Sequence, residues 1–407
     1  MAVSTPTTPT MAREQVVRAR TAVFVVFALA GVVFASWASR IADTKLDLDL
    51  TAGRLGLLLL ATSVGSVMGL PLAGRVSDRI GAGNTVRLGV ASALAGLVVT
   101  GFAVDAGGPL WVVAVGLYLL GLGVGLWDVA MNLEGAGVER ALGRSVMPHF
   151  HAAFSGGTVA SALLGALASW TRVPLGLHFL ASAVLTVALV AWALPRFLPA
   201  RLVPDSDEDA TGTGGPTPRR APRSAWLEPR TLLIGLVVLA AAATEGTAND
   251  WLSVAFVEGY ALPPWAGVLG FAVFLTAMTL GRILGTGLLD RYGRVPTLRV
   301  GFGLAVLGAL LVVFGGPGAA FVGAAVWGLG ASLGFPVGMS ASADEPERAA
   351  ARMSVVATIG YLAFLAGPPL LGFLGDHVGV LHALLVVGAL ALLALSVVTS
   401  VREPEAR

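Results

Sequence analysis

The chain lacks cysteine altogether in its 407 residues, which excludes disulfides, thiolate-bound metals and a cysteine nucleophile. Histidine is scarce as well, and its five copies are scattered rather than set at metal-ligand spacing. Charge is the third shortage: 12% of residues are Asp, Glu, Lys or Arg against 56% hydrophobic, and mean hydropathy is +0.83. Soluble domains cannot hide so much apolar surface, so the composition points to a polytopic membrane protein. His-Glu-x-x-His, Gly-x-Ser-x-Gly and a Walker phosphate loop are also missing, so enzyme chemistry and direct ATP drive are not expected.

Long apolar runs are plentiful. Windows of about 19 residues, read against a hydrocarbon core of about 30 Å, predict twelve crossings. These are 20–41, 53–75, 86–104, 110–133, 151–171, 174–195, 231–257, 265–287, 298–314, 318–341, 352–374 and 380–400. Continuous runs without strand alternation exclude a barrel, and backbone polar groups without water then require helices. The expected class is an all-α membrane protein. No cleavable signal peptide is evident, because residues 1–20 are polar and carry Arg13, Arg18 and Arg20, so the first span is expected to stay attached. Of the 26 Lys and Arg residues, Arg40, Lys45, Arg54 and Arg172 fall on one side and the others on the side of the termini. The positive-inside bias therefore predicts a multi-pass protein of the cell (inner) membrane with both termini cytoplasmic. The same bias explains the pI near 9.4 without nucleic acid as a partner.

Between 198 and 230 the composition turns acidic, then Gly/Thr/Pro-rich, then basic, as in a flexible cytoplasmic linker. The expected organisation is a tail (1–19), a six-helix bundle (20–197), the linker (198–230), a second bundle (231–400) and a tail (401–407). The halves repeat. "SDRIGAGNTVRLG" matches "LDRYGRVPTLRVG" at one constant offset, pairing Asp78 with Asp290, Arg79 with Arg291, Gly81 with Gly293 and Arg87 with Arg299. "GLGVGL" at Gly121 gives a weaker echo in "GLGASL" at Gly328. Duplicated six-helix halves joined by a polar loop are the layout of an alternating-access carrier with its site near the midplane.

Here the chain resembles the major facilitator superfamily, over essentially all of 20–400. The most specific element is the loop pattern Gly-x-x-x-Asp-Arg-x-Gly, present as Gly74, Asp78, Arg79 and Gly81. Two departures occur: Ala82 and Gly83 replace the usual basic pair, and the second copy has Thr286 where the first has Gly74. The resemblance implies two pseudo-symmetric six-helix bundles. It also implies a gating latch on the cytoplasmic side formed by Gly74, Asp78, Arg79 and Gly81 with Asp290, Arg291 and Gly293. A monomer is the family's usual condition.

Acids inside apolar spans are the remaining signal. Glu245, in "ATEGTAND", lies about 20 Å into the seventh span at the helical rise, near the middle of the bilayer. An ionised carboxylate there costs several kcal/mol unless it is paired, protonated or facing a watery cavity, which makes Glu245 a candidate proton carrier. Asn249 shares its face one turn on, while Asp250 and Trp251 lie nearer the outer mouth. In the fourth span Asp128 and Asn132 are again one turn apart, with Asp128 about 27 Å from the span's start, so depth alone leaves it between the cavity and the cytoplasmic end.

"LWDVAMN" resembles the fourth-span signature of the fucose/proton symporter branch, which implies sugar binding and proton coupling for Asp128 and a binding role for Asn132. The proline that commonly follows is absent, with Leu133 in its place. "MPHFHAAFSGG" is similar to that branch's fifth-span start, with His151 as the matching histidine, and a histidine can titrate near neutral pH. Arg282, in "GRILG", is expected to cap the cytoplasmic side. The first span offers Trp37 as a stacking surface and Arg40 either as an outer-edge snorkeller or as a counter-charge that would favour a sugar acid. His149 and His178 carry no message.

The expected function is secondary transport of a small polar solute, sugar or sugar acid-like, by proton symport, with the proton gradient in place of a cofactor. The fourth span lacks the buried arginine, and the fifth the later proline, that many exporters of the superfamily carry. Proton-coupled export and a non-transporting sensor are the alternatives.

Overall fold

In a computed structural model, residues 13–198 and 224–403 are described. Among them run twelve helices long and apolar enough to cross a bilayer. The first six are α1 (Arg13–Asp47), α2 (Ala52–Ile80), α3 (Ala82–Asp105), α4 (Leu110–Leu142), α5 (Met147–Trp170) and α6 (Leu175–Arg196). The second six are α7 (Pro229–Tyr260), α8 (Pro264–Tyr292), α9 (Arg294–Phe314), α10 (Gly316–Ser342), α11 (Ala349–Val378) and α12 (Val380–Val401). An even number of crossings leaves both chain ends on one face, here the terminal face. Most of the predicted linker, 199–223, lies outside the described residues.

Several starts follow from local chemistry. Prolines, whose fixed φ suits a first turn, open α7 and α8 and precede α4 and α6. Thr51 accepts a hydrogen bond from Arg54 N at 3.2 Å to cap α2. Glu139, on the last turns of α4, accepts from Val146 N and Met147 N at 2.7 and 2.8 Å and caps α5. Several spans overrun their predicted windows: α2 continues to Ile80 and α4 to Leu142. Hydropathy stops where charge begins, whereas a helix can continue into the polar interface.

The repeat seen in sequence is a repeat of contacts. Gly81 and Gly293 both take positive φ (+82° and +76°) to turn α2 into α3 and α8 into α9, and Thr85 and Thr297 each donate back to that glycine's carbonyl. Gly96 of α3 lies against the backbone of Gly116 and Leu120, and its counterpart Gly308 of α9 against Gly323 and Trp327. Small residues let these helices touch backbone to backbone, the usual solution where lipid supplies no hydrophobic drive. The pairs Gly65/Gly69 and Gly121/Gly125 do the same between α2 and α4.

The halves meet where α2 packs on α11 and α5 on α8. At the face opposite the termini the junction is tight: Lys45 pairs with Glu258, and Asp376 of α11 accepts from Gly53 N at 3.0 Å. Gly372 abuts the Ala52 backbone there. Toward the terminal face, Gly74 and Gly287 have nothing within 4 Å of a would-be Cβ. Among the described residues the cross-half ion pair and side-chain hydrogen bond both lie on the face opposite the termini. Ion pairs brace the second half on the terminal face, where Asp344 joins Arg230 and Arg294 at 2.7 and 2.8 Å. Nearby, the hydrogen bond from Arg352 to Glu345 holds that exposed carboxyl below the ordinary range.

Candidate functional site

A central cavity of about 220 Å³ lies between the halves. From the first half α1 supplies Phe34 and Trp37, α2 supplies Thr62, Ser63 and Ser66, and α4 supplies Gly121 and Val124. From the second half come Gly246, Asn249 and Asp250 of α7, with Tyr361 and Phe364 of α11. Gly246 lets the Phe364 ring pack closely on α7, since a Cβ there would sit 3.2 Å from it. The glycine seam brings Thr62 and Ser66 against Gly121 and so sets the first half's wall. Two polar atoms in the wall, Thr62 Oγ1 and Asn249 Oδ1, are buried without a hydrogen-bond partner among the described residues. Both atoms are closed off from the cavity space in this state, so they reach a solute or water only when the wall shifts. The Asp250 carboxylate forms no ion pair among the described residues.

Two further carboxylates belong to this region without lining the cavity. Asp128 and Asn132 do share a face, and Asn132 Nδ2 donates to the Asp128 carbonyl at 2.8 Å and to its Oδ1 at 3.3 Å. Asp128 is half-buried, makes no ion pair among the described residues, and lies within electrostatic reach of Tyr361 across the junction. Glu245 is also half-buried, but its Oε2 accepts from Arg282 Nη2 of α8 at 2.8 Å. Arg282 therefore does not serve as a cap for the membrane edge. Its nearby charge also reaches His151, an exposed residue of α5 whose ring meets Phe27 edge-on at 5.3 Å.

The family model of the Major Facilitator Superfamily matches residues 21–323 and 266–407. The chain belongs to the Major Facilitator Superfamily. It is 31% identical over 369 residues to the uncharacterized transporter y4wD of Sinorhizobium fredii, covering 90% of this chain and 94% of that one. Among solved structures it resembles the nucleoside transporter NupG, with TM-score 0.72, 12% identity and coverage of 94% and 98% of the two chains. It also resembles the E. coli fucose:proton symporter FucP, with TM-score 0.59, 16% identity and coverage of 93% and 98%. At such identities the structural likenesses speak for the fold. The protein is a multi-pass membrane transporter rather than an enzyme.

Besides Arg282, further sequence expectations need correction: Asn132 and His151, expected to bind solute, do not line the cavity. Arg40 does not face the cavity. It is 2% exposed, ion-paired with Asp43 at 3.2 Å, donates to Val173 O at 2.9 Å and lies 3.5 Å from His178. The residue without a message, His178, is thus part of that cluster. Trp251 is buried inside the second half, 1% exposed, because on a helix it points away from the face shared by Gly246, Asn249 and Asp250. The loop residues Asp78, Arg79, Asp290 and Arg291 are exposed and form no ion pairs among the described residues. Arg291 instead stacks over Tyr292 at 5.2 Å.

Sequence reading missed Phe34, Thr62, Ser63, Ser66, Tyr361 and Phe364. The hydroxyls carried a signal, three within five positions of an otherwise apolar span. The aromatics did not, since Phe is an ordinary membrane residue.

Proposed function

We propose that this transporter moves a small polar, sugar-like solute by alternating access, in symport with protons. The observation that carries the reading is the central cavity, in which Asn249, Asp250 and the α2 hydroxyls from opposite halves surround a space walled by Trp37. Amide, carboxylate and hydroxyl groups beside aromatic side chains suit a compact solute with hydrogen-bonding edges and an apolar face. Because both halves contribute, a rocking motion exposes the same groups first to one side and then to the other. The positive-inside bias supports a cytoplasmic terminal face, and the cross-half contacts on the opposite face support an inward-facing state. A single chain contains the whole cavity, in keeping with a monomer.

Asp128 and Glu245 are the proposed proton carriers, and the chemistry for Glu245 is specific. A proton and Arg282 compete for the same carboxylate. Protonation releases the guanidinium toward the α5–α8 junction, where His151 of the other half stands, so proton occupancy changes the charge at a surface that must slide. Proteoliposomes loaded with a pH dye and challenged with sugars test the reading. Inward acidification that accompanies solute entry is expected, with loss of the proton signal in Glu245→Gln. A signal of opposite sign indicates export, and an unchanged signal in Glu245→Gln and in Asp128→Asn removes the coupling assignment.

A further inference from the structure

The cavity's charge is one-sided. Its wall carries the Asp250 carboxylate, and among the described lining residues there is no Lys, Arg or His. Arg40 is paired with Asp43 inside the first half and Arg282 with Glu245, and neither lines the cavity. An ionised Asp250 can only accept, and Asn249 Oδ1 and Thr62 Oγ1, unpartnered but closed off in this state, add acceptors when the wall shifts. The rest of the wall includes the aromatic side chains of Phe34, Trp37, Tyr361 and Phe364. Acceptors without a fixed cation repel an anion and leave it undersolvated, since nothing replaces the water it gave up. The same acceptors satisfy hydroxyl or ammonium donors, and aromatic faces tolerate both sugar-ring C–H edges and cations.

We propose that the central cavity selects solutes that present hydrogen-bond donors and carry no negative charge, hydroxylated or aminated molecules, and turns away carboxylates and phosphates. This rests on the cavity being the transport site. It replaces the sugar-acid expectation, which depended on Arg40 reaching the cavity, and it names Asp250 as the residue that sets charge selectivity.

The absence of cysteine offers a direct test, because one introduced thiol is the only one present. Ser63→Cys and Ser66→Cys variants, purified and reconstituted, are treated with cationic, neutral and anionic methanethiosulfonate reagents of similar size. Rates are normalised to those of free cysteine. The expected result is a normalised preference of about tenfold for the cationic over the anionic reagent, falling to about one when Asp250→Asn is added. A neutral reagent as fast as the cationic one identifies hydroxylated solutes as the better fit. A neutral reagent as slow as the anionic one identifies amines. No charge preference, a preference for the anion, a preference unaffected by Asp250→Asn, or no reaction at either thiol overturns the proposal. The readout is cavity charge and access alone, so it stands or falls separately from the proton-coupling assay.

Discussion

Arg40 and Asp250 show how two charged residues of similar sequence appearance come to do different work. Arg40 has Asp43, Val173 O and His178 around it inside one half, so its removal strands a buried carboxylate. Arg40→Ala is expected to lower the stability of the purified protein by on the order of 3 kcal/mol while leaving the solute KM unchanged, read by thermal unfolding beside an uptake assay. Asp250→Asn should do the reverse. Loss of one charge-assisted hydrogen bond, about 1.5 kcal/mol, raises KM about tenfold with little change in unfolding. If Arg40→Ala raised KM and left stability intact, the cavity wall described above would be wrong. Both positions read simply as charges at apolar span ends or centres. The i,i+3 partner Asp43 was local and readable, but the meeting of Arg40 with Val173 O and His178 depends on where another part of the chain is placed, which no local pattern encodes.

Among the helices, glycine decides which pairs touch. Gly96 and Gly308 occupy equivalent seams in the two halves, each with the facing helix backbone where a side chain would go. Gly96→Val and Gly308→Val should each cost about 1–3 kcal/mol by overpacking, measured by thermal unfolding in detergent. Gly74→Ala and Gly287→Ala have open space and should leave stability unchanged, with any effect confined to transport. Equal losses at all four positions would mean that the terminal face is closed. The spans themselves were legible, because twelve runs of apolar residues have no other use. Their ends were not, since α2 and α4 carry charge on turns that still form backbone hydrogen bonds beyond the hydrocarbon. The repeat was legible as a loop motif, and it recurs as matched glycine contacts that the short echo at Gly121 only hinted at.

For the whole molecule the balance between two openings depends on few contacts. Lys45 with Glu258, and Asp376 at the positively polarised start of α2, hold the face opposite the termini shut. Lys45→Ala should weaken that closure by about 1 kcal/mol, roughly fivefold in population. Spin labels on the ends of α1 and α7 at that face then report a larger share of long distances, and an unchanged distribution would assign the closure to helix packing alone. Composition and periodicity by themselves determined the membrane, the twelve helices, the duplicated halves and the presence of acids that need an explanation, because hydrocarbon leaves the backbone no other way to satisfy its polar groups. Only the tertiary structure decided which acids have partners. Glu245 meets Arg282, Asp250 meets open cavity, and Arg40 is folded into its own half, since a helix fixes the direction of a side chain but not what another helix brings to meet it.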